Sequence, residues 1–267
     1  MKTVYEMMSL EGRRALVTGA TGHLGRVICD TLRELGADLI LIDRDQNELE
    51  KLADLLKEKQ CAEVKVICTD LEKEEQRDHL IQQVVENCTN LNVLINNAAF
   101  VGTSNLKGWA VPFEEQSLET WRRAMEVNLT APFHLIQKLT PLMRCSEGAS
   151  IINIGSIYGL LGPDWRLYDG TKMANPAAYA ASKGGLMQLT RWLATTLAPE
   201  IRVNAIAPGG IFRNQPTEFI EKYREKVPLR KMGTEVDFKG LITNLSSDLS
   251  SYMTGQVMVA DGGFSIW

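Results

Sequence analysis

The sequence predicts a doubly wound parallel α/β sheet of about seven strands, with helices on both faces. Seven short apolar runs alternate with longer amphipathic segments along the 267 residues, which is the order that right-handed β–α–β crossovers require. The runs are apolar at odd and even positions alike, as in strands buried on both faces of a sheet. No linker or repeat interrupts the pattern, so we expect a single domain over residues 1–267.

The predicted strands are short and rich in β-branched residues. They lie at Ala15–Val17, Asp38–Ile42, Val64–Cys68, Val93–Ile95, Ser150–Ile154, Ile201–Ile206 and Val257–Val259. The predicted helices lie at about Gly22–Leu35, Gln46–Lys59, Lys73–Asn87, Ser117–Met143, Ala177–Leu197 and Glu235–Leu245. Three segments without a clear period are expected to form substrate loops, at about 100–116, 158–176 and 211–232.

Composition argues against several other classes of protein. The net charge is −4 and no basic run is interleaved with aromatic residues, which argues against a nucleic-acid partner. No apolar stretch is long enough to span a bilayer, and the first residues contain no signal-peptide core. Five scattered cysteines without a CxxC spacing indicate neither a disulfide framework nor a metal site. We therefore expect a cytoplasmic protein that acts on a small molecule, without a metal or a membrane partner.

A glycine-rich loop follows the first predicted strand and opens the first long helix. Glycines allow the backbone to approach a pyrophosphate, and the helix N-terminus offers free N–H groups. A glycine pattern alone is also typical of a simple tight turn, but here the strand and the helix are both predicted. The expected dinucleotide contacts in this loop are Gly19, Thr21, Gly22, His23, Leu24 and Gly25.

Asp43 ends the second predicted strand, about 20 residues beyond the loop. A carboxylate at this place can accept both ribose hydroxyls and would repel a 2′-phosphate, which favours NAD over NADP. Arg44 keeps NADP open, because a guanidinium can pair with a 2′-phosphate or stack on adenine. Asp43 could instead cap the next helix, although Asp45 is better placed for that role and would leave Asp43 free.

Polar residues also follow the third and fourth predicted strands, at the edge of the sheet where ligands of such folds bind. A role as ordinary turn residues is the alternative. The expected cofactor contacts here are Asp70, Leu71, Asn97, Ala98 and Ala99.

Tyr179 and Lys183 are four residues apart at the start of a predicted helix, so they share one face. A free tyrosine hydroxyl titrates at about pH 10, and a neighbouring ammonium stabilises the phenolate and lowers that value. Ser156 follows the fifth strand and could hydrogen-bond a substrate oxygen. The spacing alone is more often found on an ordinary surface helix.

Taken in order, these motifs resemble the short-chain dehydrogenase/reductase family, in its short single-domain branch. The resemblance covers nearly the whole chain. The matching pieces are Thr18–Gly25, Asp70, Asn96–Ala98, Asn128, Asn153–Ser156, Tyr179–Lys183, Arg202–Ala205, Pro208–Gly209, Thr254–Gln256 and Asp261–Gly263. The resemblance implies a Rossmann-type fold and hydride transfer between a nicotinamide cofactor and a carbonyl or secondary alcohol.

The family's residue roles carry over to matching positions. The resemblance implies that Tyr179 is the acid/base and that Lys183 lowers its pKa and binds the ribose. It implies that Ser156 positions the substrate oxygen and that Asn128 holds a water in a proton relay. The further cofactor contacts that it implies are Tyr179, Lys183, Pro208, Gly209 and Ile211.

Two departures concern the cofactor site. The glycine spacing is TGxxGxxG, with His23 where this branch usually has its middle glycine. That spacing is more like the sugar-nucleotide-modifying branch, whose extra substrate domain has no room here. Position 22 is glycine where NADP-using relatives often have a basic residue, and Ala99 stands where the family usually has glycine.

Two further departures concern the substrate. Ser156 and Tyr179 are 23 positions apart, against about 13 in the family. The additional residues include Trp165 and Tyr168, which could stack on a sugar ring or could only pack locally in a surface loop. Their charged neighbours, which could bind hydroxyls or a phosphate, are Asp164, Arg166 and Asp169. Arg213 replaces the family's usual threonine, and it either binds an anionic group or is a solvated loop residue.

These features favour a dehydrogenase/reductase that uses NAD, with NADP possible, on a polar, sugar-like substrate. The pattern is also similar to oxidoreductases of bacterial surface-sugar pathways, such as flagellin modification and legionaminic-acid synthesis. The alternatives are an epimerase or dehydratase with tightly bound NAD, suggested by the glycine spacing, and a non-catalytic dinucleotide-binding regulator.

The family resemblance also implies a homodimer or homotetramer, formed through the two long helices Ser117–Met143 and Ala177–Leu197. Apolar residues on the second helix exceed what one buried side needs. They are Leu186, Leu189, Trp192 and Leu193.

Overall fold

The structure is a computed structural model that describes residues 1–57, 63–101 and 106–267. A parallel sheet of seven strands has the order β3-β2-β1-β4-β5-β6-β7. The strands are β1 Arg14–Thr18, β2 Asp38–Asp43, β3 Val64–Cys68, β4 Val93–Asn96, β5 Ser150–Ile154, β6 Arg202–Pro208 and β7 Val257–Ala260. The predicted Rossmann-type sheet is therefore confirmed.

Helices cover both faces of this sheet. They are α1 Val4–Met8, α2 His23–Glu34, α3 Gln46–Lys57, α4 Glu74–Asn87, α5 Leu118–Met125, α6 Ala131–Arg144, α7 Ala177–Leu197, α8 Thr217–Lys226 and α9 Lys239–Ser246. Alternate residues of β1 enter different cores: Val17 packs with α2, α3 and α9, whereas Leu16 packs with α4, α6 and α7. This two-sided burial explains why the apolar residues of the strands occur at odd and even positions alike.

Several boundaries differ from the prediction for identifiable reasons. The long predicted helix Ser117–Met143 is divided into α5 and α6 by a π-helical turn at Glu126–Thr130, which adds a residue to the helical repeat. The predicted helix Glu235–Leu245 begins as a 3₁₀ turn before α9. The end of the predicted helix Gln46–Lys59 and part of the predicted loop 100–116 lie outside the described residues.

Helix α8 lies inside the segment predicted as the substrate loop 211–232. Its apolar residues Phe219 and Tyr223 form a stripe too short to be detected by periodicity. They pack with the extra residues that precede α7, in a small cluster that we call the satellite core. Its buried members are Ile157, Leu167, Tyr168, Phe219, Tyr223, Val227, Met232 and Phe264.

The order of the strands reverses between β1 and β4, which are neighbours in the sheet. Open α/β sheets bind ligands at the carboxyl ends of strands beside such a switch point. The glycine loop after β1 and the polar segment after β4 meet here. Among the described helices, none is both long and apolar enough to cross a membrane.

Candidate active site

Tyr179 and Lys183 lie in the first two turns of α7, which begins directly after Pro176. The Lys183 Nζ atom lies 5.9 Å from the centre of the Tyr179 ring. It donates a hydrogen bond of 2.7 Å to the Ile154 carbonyl oxygen at the end of β5. The structure thus brings the two residues of the predicted pair together and attaches the lysine to the strand that leads to Ser156.

Burial acts in opposite directions on the two titrating groups, because it disfavours the charged form of each. It raises the pKa of Tyr179, while the Ser156 side chain and the positive charge of Arg213 oppose that rise. Burial lowers the pKa of Lys183 to about 8. At neutral pH the tyrosine is therefore a protonated acid, and the lysine retains most of its charge.

Ser156 is buried immediately after β5, and its hydroxyl accepts a hydrogen bond of 3.2 Å from the Tyr158 N–H. The next residues form a 3₁₀ turn at Ile157–Gly159 that packs on α7. A Cβ atom at Gly159 would lie 2.8 Å from the Lys183 carbonyl carbon, so only glycine permits this approach. Gly159 was not predicted from the sequence, although this glycine sets how closely the turn after Ser156 approaches α7.

Asn128 lies in the π-helical turn and is completely buried. Its side-chain oxygen accepts from the Phe100 N–H, and its amide nitrogen donates to the Phe100 carbonyl and to the Ser182 hydroxyl, at 2.6, 3.2 and 3.0 Å. The side chain therefore clamps the segment after β4 against α7. Both amide hydrogens are occupied, so a water relay through Asn128 would use its backbone carbonyl.

A second buried amide chain holds the same elements together. Asn96 at the end of β4 donates to Asn153 on β5 at 2.8 Å, and Asn153 donates to the Thr190 hydroxyl on α7 at 2.9 Å. Sequence analysis found the two asparagines only as parts of motifs and missed Thr190. The chain fixes the position of α7 relative to the strands that carry the site.

The glycine loop lines a cleft of about 730 Å³ at the switch point of the sheet. Gly19 adopts a positive φ of +64°, and a Cβ atom at Gly25 would clash with the Gly19 carbonyl oxygen. The loop thus leads into the N-terminus of α2 with its backbone exposed to the cleft. All the predicted loop contacts line it, together with Asp43, Arg44, Asp70, Leu71, Asn97, Ala98 and Ala99. A dinucleotide fits this arrangement of bare backbone, helix N-terminus and carboxylate.

Asp43 is less free than expected. One carboxylate oxygen accepts from the Thr21 N–H at 3.0 Å and from the Thr21 hydroxyl at 2.7 Å, and the other accepts from the Arg44 N–H at 2.8 Å. Asp45 caps α3 as expected, because its side chain accepts from the Glu48 N–H at 3.1 Å. Asp43 therefore braces the glycine loop and also lines the cleft.

Asn97 also supports the loop. Its amide nitrogen donates to the carbonyl oxygens of Thr18 and Gly19 at 3.0 and 2.9 Å. The N–H groups of Asn97 and Ala98 both donate to the Thr18 hydroxyl. The side-chain amide and the N–H group of Asn97 therefore both support the glycine loop.

Pro208, Gly209 and Ile211 lie at the carboxyl end of β6 and in the segment that follows it. Between them, the N–H group of Gly210 donates a hydrogen bond of 2.6 Å to the Tyr223 hydroxyl of α8. This contact fastens the β6 loop to the satellite core. Tyr223 was missed by sequence analysis, since no local pattern relates it to a glycine 13 residues earlier.

Arg213 lines the dinucleotide cleft and forms an ion pair of 3.1 Å with Glu235. Its side chain is 42% exposed, so part of the guanidinium remains available. Its charge also acts on the pKa of Tyr179. The arginine is therefore neither buried nor remote from the site.

The extra residues before α7 do not all lie as expected. Trp165 is 54% exposed. Tyr168 is buried in the satellite core and shares a hydrogen bond of 2.6 Å between its hydroxyl and that of Tyr158, so its ring is not available to stack on a sugar. Asp164 is occupied by ion pairs with Arg166 and Lys226, which hold the pKa of its carboxyl well below the usual range.

Comparison with known proteins gives concordant matches. The matching family model is described as enoyl-(acyl carrier protein) reductase and spans residues 19–265. The rhamnolipids biosynthesis 3-oxoacyl-(acyl-carrier-protein) reductase of Pseudomonas aeruginosa is 33% identical, covering 98% of this chain and 100% of the relative. Post-translational flagellin modification protein A of Campylobacter coli is 30% identical, with 96% and 100% covered.

One solved structure is described as an NAD(P)-dependent gluconate 5-dehydrogenase from Beutenbergia cavernae with bound NADP. It superimposes with a TM-score of 0.85 at 29% identity, covering 98% of this chain and 100% of that chain. These proteins differ in the substrates that their names indicate.

Proposed function

We propose, from the premise that this chain belongs to the short-chain dehydrogenase/reductase family, that it interconverts a ketone and a secondary alcohol on a polyhydroxylated substrate with a preference for NAD(H). The family match confirms the resemblance found in the sequence. The chain is accordingly an NAD(P)-dependent oxidoreductase that acts on CH–OH or carbonyl groups. The preference for NAD(H) and the substrate class are our proposals.

The grouping of Tyr179, Lys183 and Ser156 supports the assignment of roles. During reduction the Tyr179 hydroxyl donates its proton to the substrate oxygen, and in the reverse direction its phenolate takes that proton. The Ser156 hydroxyl donates a hydrogen bond to the same oxygen and fixes its position. The Lys183 ammonium stabilises the phenolate, which would otherwise be an unpaired charge in a buried site. The bound nicotinamide supplies or accepts the hydride.

Asp43 supports the preference for NAD(H). Its carboxylate is held by Thr21 and Arg44 at the cleft, where it would repel a 2′-phosphate. Wild type is expected to show a kcat/KM for NADH at least about 10-fold above that for NADPH, and Asp43→Ser to lower this ratio by about 10-fold or more. A wild type that prefers NADPH would contradict the proposal and point to Arg44 as a phosphate ligand.

The half-exposed ring of Trp165 supports a sugar-like substrate, since aromatic faces pack well on the C–H faces of polyols. Two relatives are consistent with it, because their names refer to gluconate and to flagellin modification. The names that refer to acyl carrier protein favour an acyl thioester instead, which is enoyl in the family description and 3-oxoacyl in the relative.

The substrate class is tested with purified enzyme, NADH and matched panels of ketoses, keto acids of sugars and 3-oxoacyl thioesters. We expect turnover of the hydroxylated compounds with one NADH consumed per product. Turnover confined to acyl thioesters would overturn the substrate proposal. Isomerised product without net NADH consumption would favour the epimerase alternative that the glycine spacing suggests.

We also propose a homodimer or homotetramer formed through α5, α6 and α7. Leu186 and Leu193 are buried within the subunit, so these two predicted contact residues are excluded from the surface. Trp192 is 57% exposed, and Leu118 and Phe133 are 68% and 42% exposed on the adjoining helices. Sedimentation as a monomer at micromolar concentration would contradict this proposal.

A further inference from the structure

A second cleft, of about 850 Å³, lies beside the start of α7. Residues 110–113 and 116 form one wall and residues 163, 165 and 171–175 form the other, and Ala177 and Ala180 of α7 also line the cleft. Phe113 is 75% exposed and Trp165 is 54% exposed on opposite walls. The volume and the largely apolar lining are typical of a small-molecule site.

Asn175 provides a polar group in this otherwise apolar cleft. Its side chain is 94% buried, since only 6% of the residue is exposed. Among the described residues, neither its amide nitrogen nor its carbonyl oxygen has a hydrogen-bond partner. Pro176 follows directly and disfavours a helical backbone at Asn175, so the amide is held ahead of the helix. A buried amide with both groups unpaired is costly, and such groups are normally satisfied.

The nearest hydroxyls do not satisfy this amide. Tyr158 and Tyr168 are close enough for Asn175 to affect their pKa values. Their hydroxyls are bonded to each other at 2.6 Å, and neither makes a hydrogen bond of good geometry with the amide. Because Asn175 lines the cleft, its unpaired amide is a candidate polar contact for whatever enters it.

The chemistry of the amide restricts the occupant. Asn175 offers an N–H donor and a C=O acceptor side by side, so its partner must bring both an acceptor and a donor. Adjacent hydroxyls of a polyol meet this requirement, since each hydroxyl donates and accepts. An aliphatic chain would leave both groups unpaired, and a carboxylate alone would leave the carbonyl unpaired. The aromatic walls complement the C–H faces of a polyol.

Charge at the rim adds a second restriction. Lys172 lines the cleft and is exposed, whereas no aspartate or glutamate is found among the described lining residues. Lys172 therefore favours an anionic group beside it. A substrate with hydroxyls at Asn175 and an acid near Lys172 satisfies both restrictions.

We propose that this cleft binds the hydroxylated, acid-bearing part of the substrate, with Asn175 as its specificity-determining residue and Lys172 as the partner of the acid. The inference rests on the proposed polyhydroxylated substrate. Asn175 precedes Tyr179 by four residues, and Tyr158 follows Ser156 by two. Ala177 and Ala180 of α7 also line the cleft, so a polyol bound here lies along the start of the helix that carries Tyr179.

Three six-carbon ketones separate the contribution of Asn175, to the hydroxyls, from that of Lys172, to the acid. The first is 5-keto-D-gluconate, which has hydroxyls, a ketone and a carboxylate. The second is 5-oxohexanoate, which keeps the ketone and the carboxylate but has no hydroxyls. The third is L-sorbose, which keeps the hydroxylated chain and has a primary alcohol in place of the carboxylate. Each is assayed with NADH, and kcat/KM is compared between variants.

Asn175→Leu is expected to lower kcat/KM for 5-keto-D-gluconate about 10- to 100-fold, while that for 5-oxohexanoate changes by less than about 3-fold. Asn175→Asp keeps the shape but replaces the donor with a negative charge, so we expect an intermediate loss for L-sorbose and a larger loss for the two acids, which that charge repels. Lys172→Met is expected to lower kcat/KM for 5-keto-D-gluconate about 3- to 10-fold and to leave L-sorbose unchanged.

The outcomes distinguish this inference from the proposed function. If wild type reduces 5-oxohexanoate but neither hydroxylated ketone, the polyhydroxylated substrate is wrong and the inference fails with it. If wild type reduces 5-keto-D-gluconate and both Asn175 variants lower kcat/KM equally for all three ketones, or for none, only the inference is overturned. Unchanged NADH binding by each variant establishes that it is folded; if Asn175→Leu fails this control, Asn175→Asp decides.

Discussion

The carboxyl ends of the strands beside Tyr179 and Lys183 meet the satellite core at Ser156 and Ile157. Different interactions predominate in the two regions. The catalytic side is fixed by short hydrogen bonds between buried groups, such as Lys183 to the Ile154 carbonyl and Asn128 to the Phe100 backbone. The satellite core is held mainly by aromatic packing, with the rings of Tyr168 and Phe219 centred 5.5 Å apart, and the hydroxyls of Tyr168 and Tyr223 also form hydrogen bonds of 2.6 Å. We therefore expect the geometry to be specified more closely at Tyr179 and Lys183 than in the satellite core.

The largest expected effect comes from removing a tyrosine hydroxyl at the active site, compared with removing one in the satellite core. Tyr179→Phe should lower kcat about 10³-fold, because it removes the proton donor, while the Kd for NADH stays within about 3-fold of wild type. Tyr168→Phe is the matched control in the satellite core, and it should change kcat by less than about 5-fold. Stopped-flow oxidation of NADH measures both. Similar losses in the two variants would mean that the two regions do not differ as described.

A second comparison places the same truncation in the main and satellite cores. Phe238→Ala, in the core between α2 and α9, should lower the free energy of unfolding by about 3 kcal/mol. Phe219→Ala should cost about 2 kcal/mol but act mainly on local opening, because its core is a separate cluster. Native-state proteolysis should then cut first within residues 158–176 or 211–232. Equal, global destabilisation would show that the satellite core unfolds only with the sheet.

A third prediction uses the buried charge at the catalytic side. Burial lowers the pKa of Lys183 to about 8, below an unfolded value of about 10.4. The unfolded chain thus binds more protons between these values, and stability rises with pH across that window. Without cofactor, Lys183→Met should be more stable than wild type by about 2 kcal/mol at pH 7, after allowing for its lost hydrogen bond.

Denaturant titration at several pH values measures this difference. The advantage of Lys183→Met should shrink from pH 8 towards pH 10, as wild type sheds the buried charge. An advantage that is constant with pH would attribute the effect to packing rather than to charge.

The smallest expected effect lies on the satellite side. Asp164→Asn removes ion pairs with Arg166 and Lys226, which are 84% and 23% exposed. Because solvent screens these charges, the cost at pH 7 should be below about 1 kcal/mol. The pKa of Asp164 is lowered in the folded state, so its contribution is present above pH 4 and is lost as the pH falls further. A cost above 2 kcal/mol at pH 7 would show that the ion pairs, and not the rings, hold this region.

Sequence and structure agree best where the signal is local. The seven strands were predictable because burial on both faces leaves a continuous apolar run in each. Tyr179 and Lys183 were predictable because four residues make one helical turn. Helix α8 was not predictable, since Phe219 and Tyr223 are buried against partners that are distant in the sequence.

The same reasoning applies to individual side chains. Asp43 was recognised by its position after β2, but its bonds to Thr21 could not be inferred from spacing. Tyr168 was expected in contact with substrate, and its burial follows from rings that are about 50 residues away in the sequence. The π-helical turn at Asn128 has no sequence pattern that distinguishes it from ordinary helix.

The amino-acid sequence by itself determined the class of fold, the family and the type of reaction. Each depends on residues that are close in the chain or on motifs in a set order, and such patterns survive without coordinates. Only the tertiary structure decided which polar groups are left to a ligand. Asn175 became a candidate because its amide is buried and has no hydrogen-bond partner within the part of the chain that the structure describes. Whether a polar group finds a hydrogen-bond partner depends on all its neighbours in the folded chain, so it cannot be predicted from any one stretch of sequence.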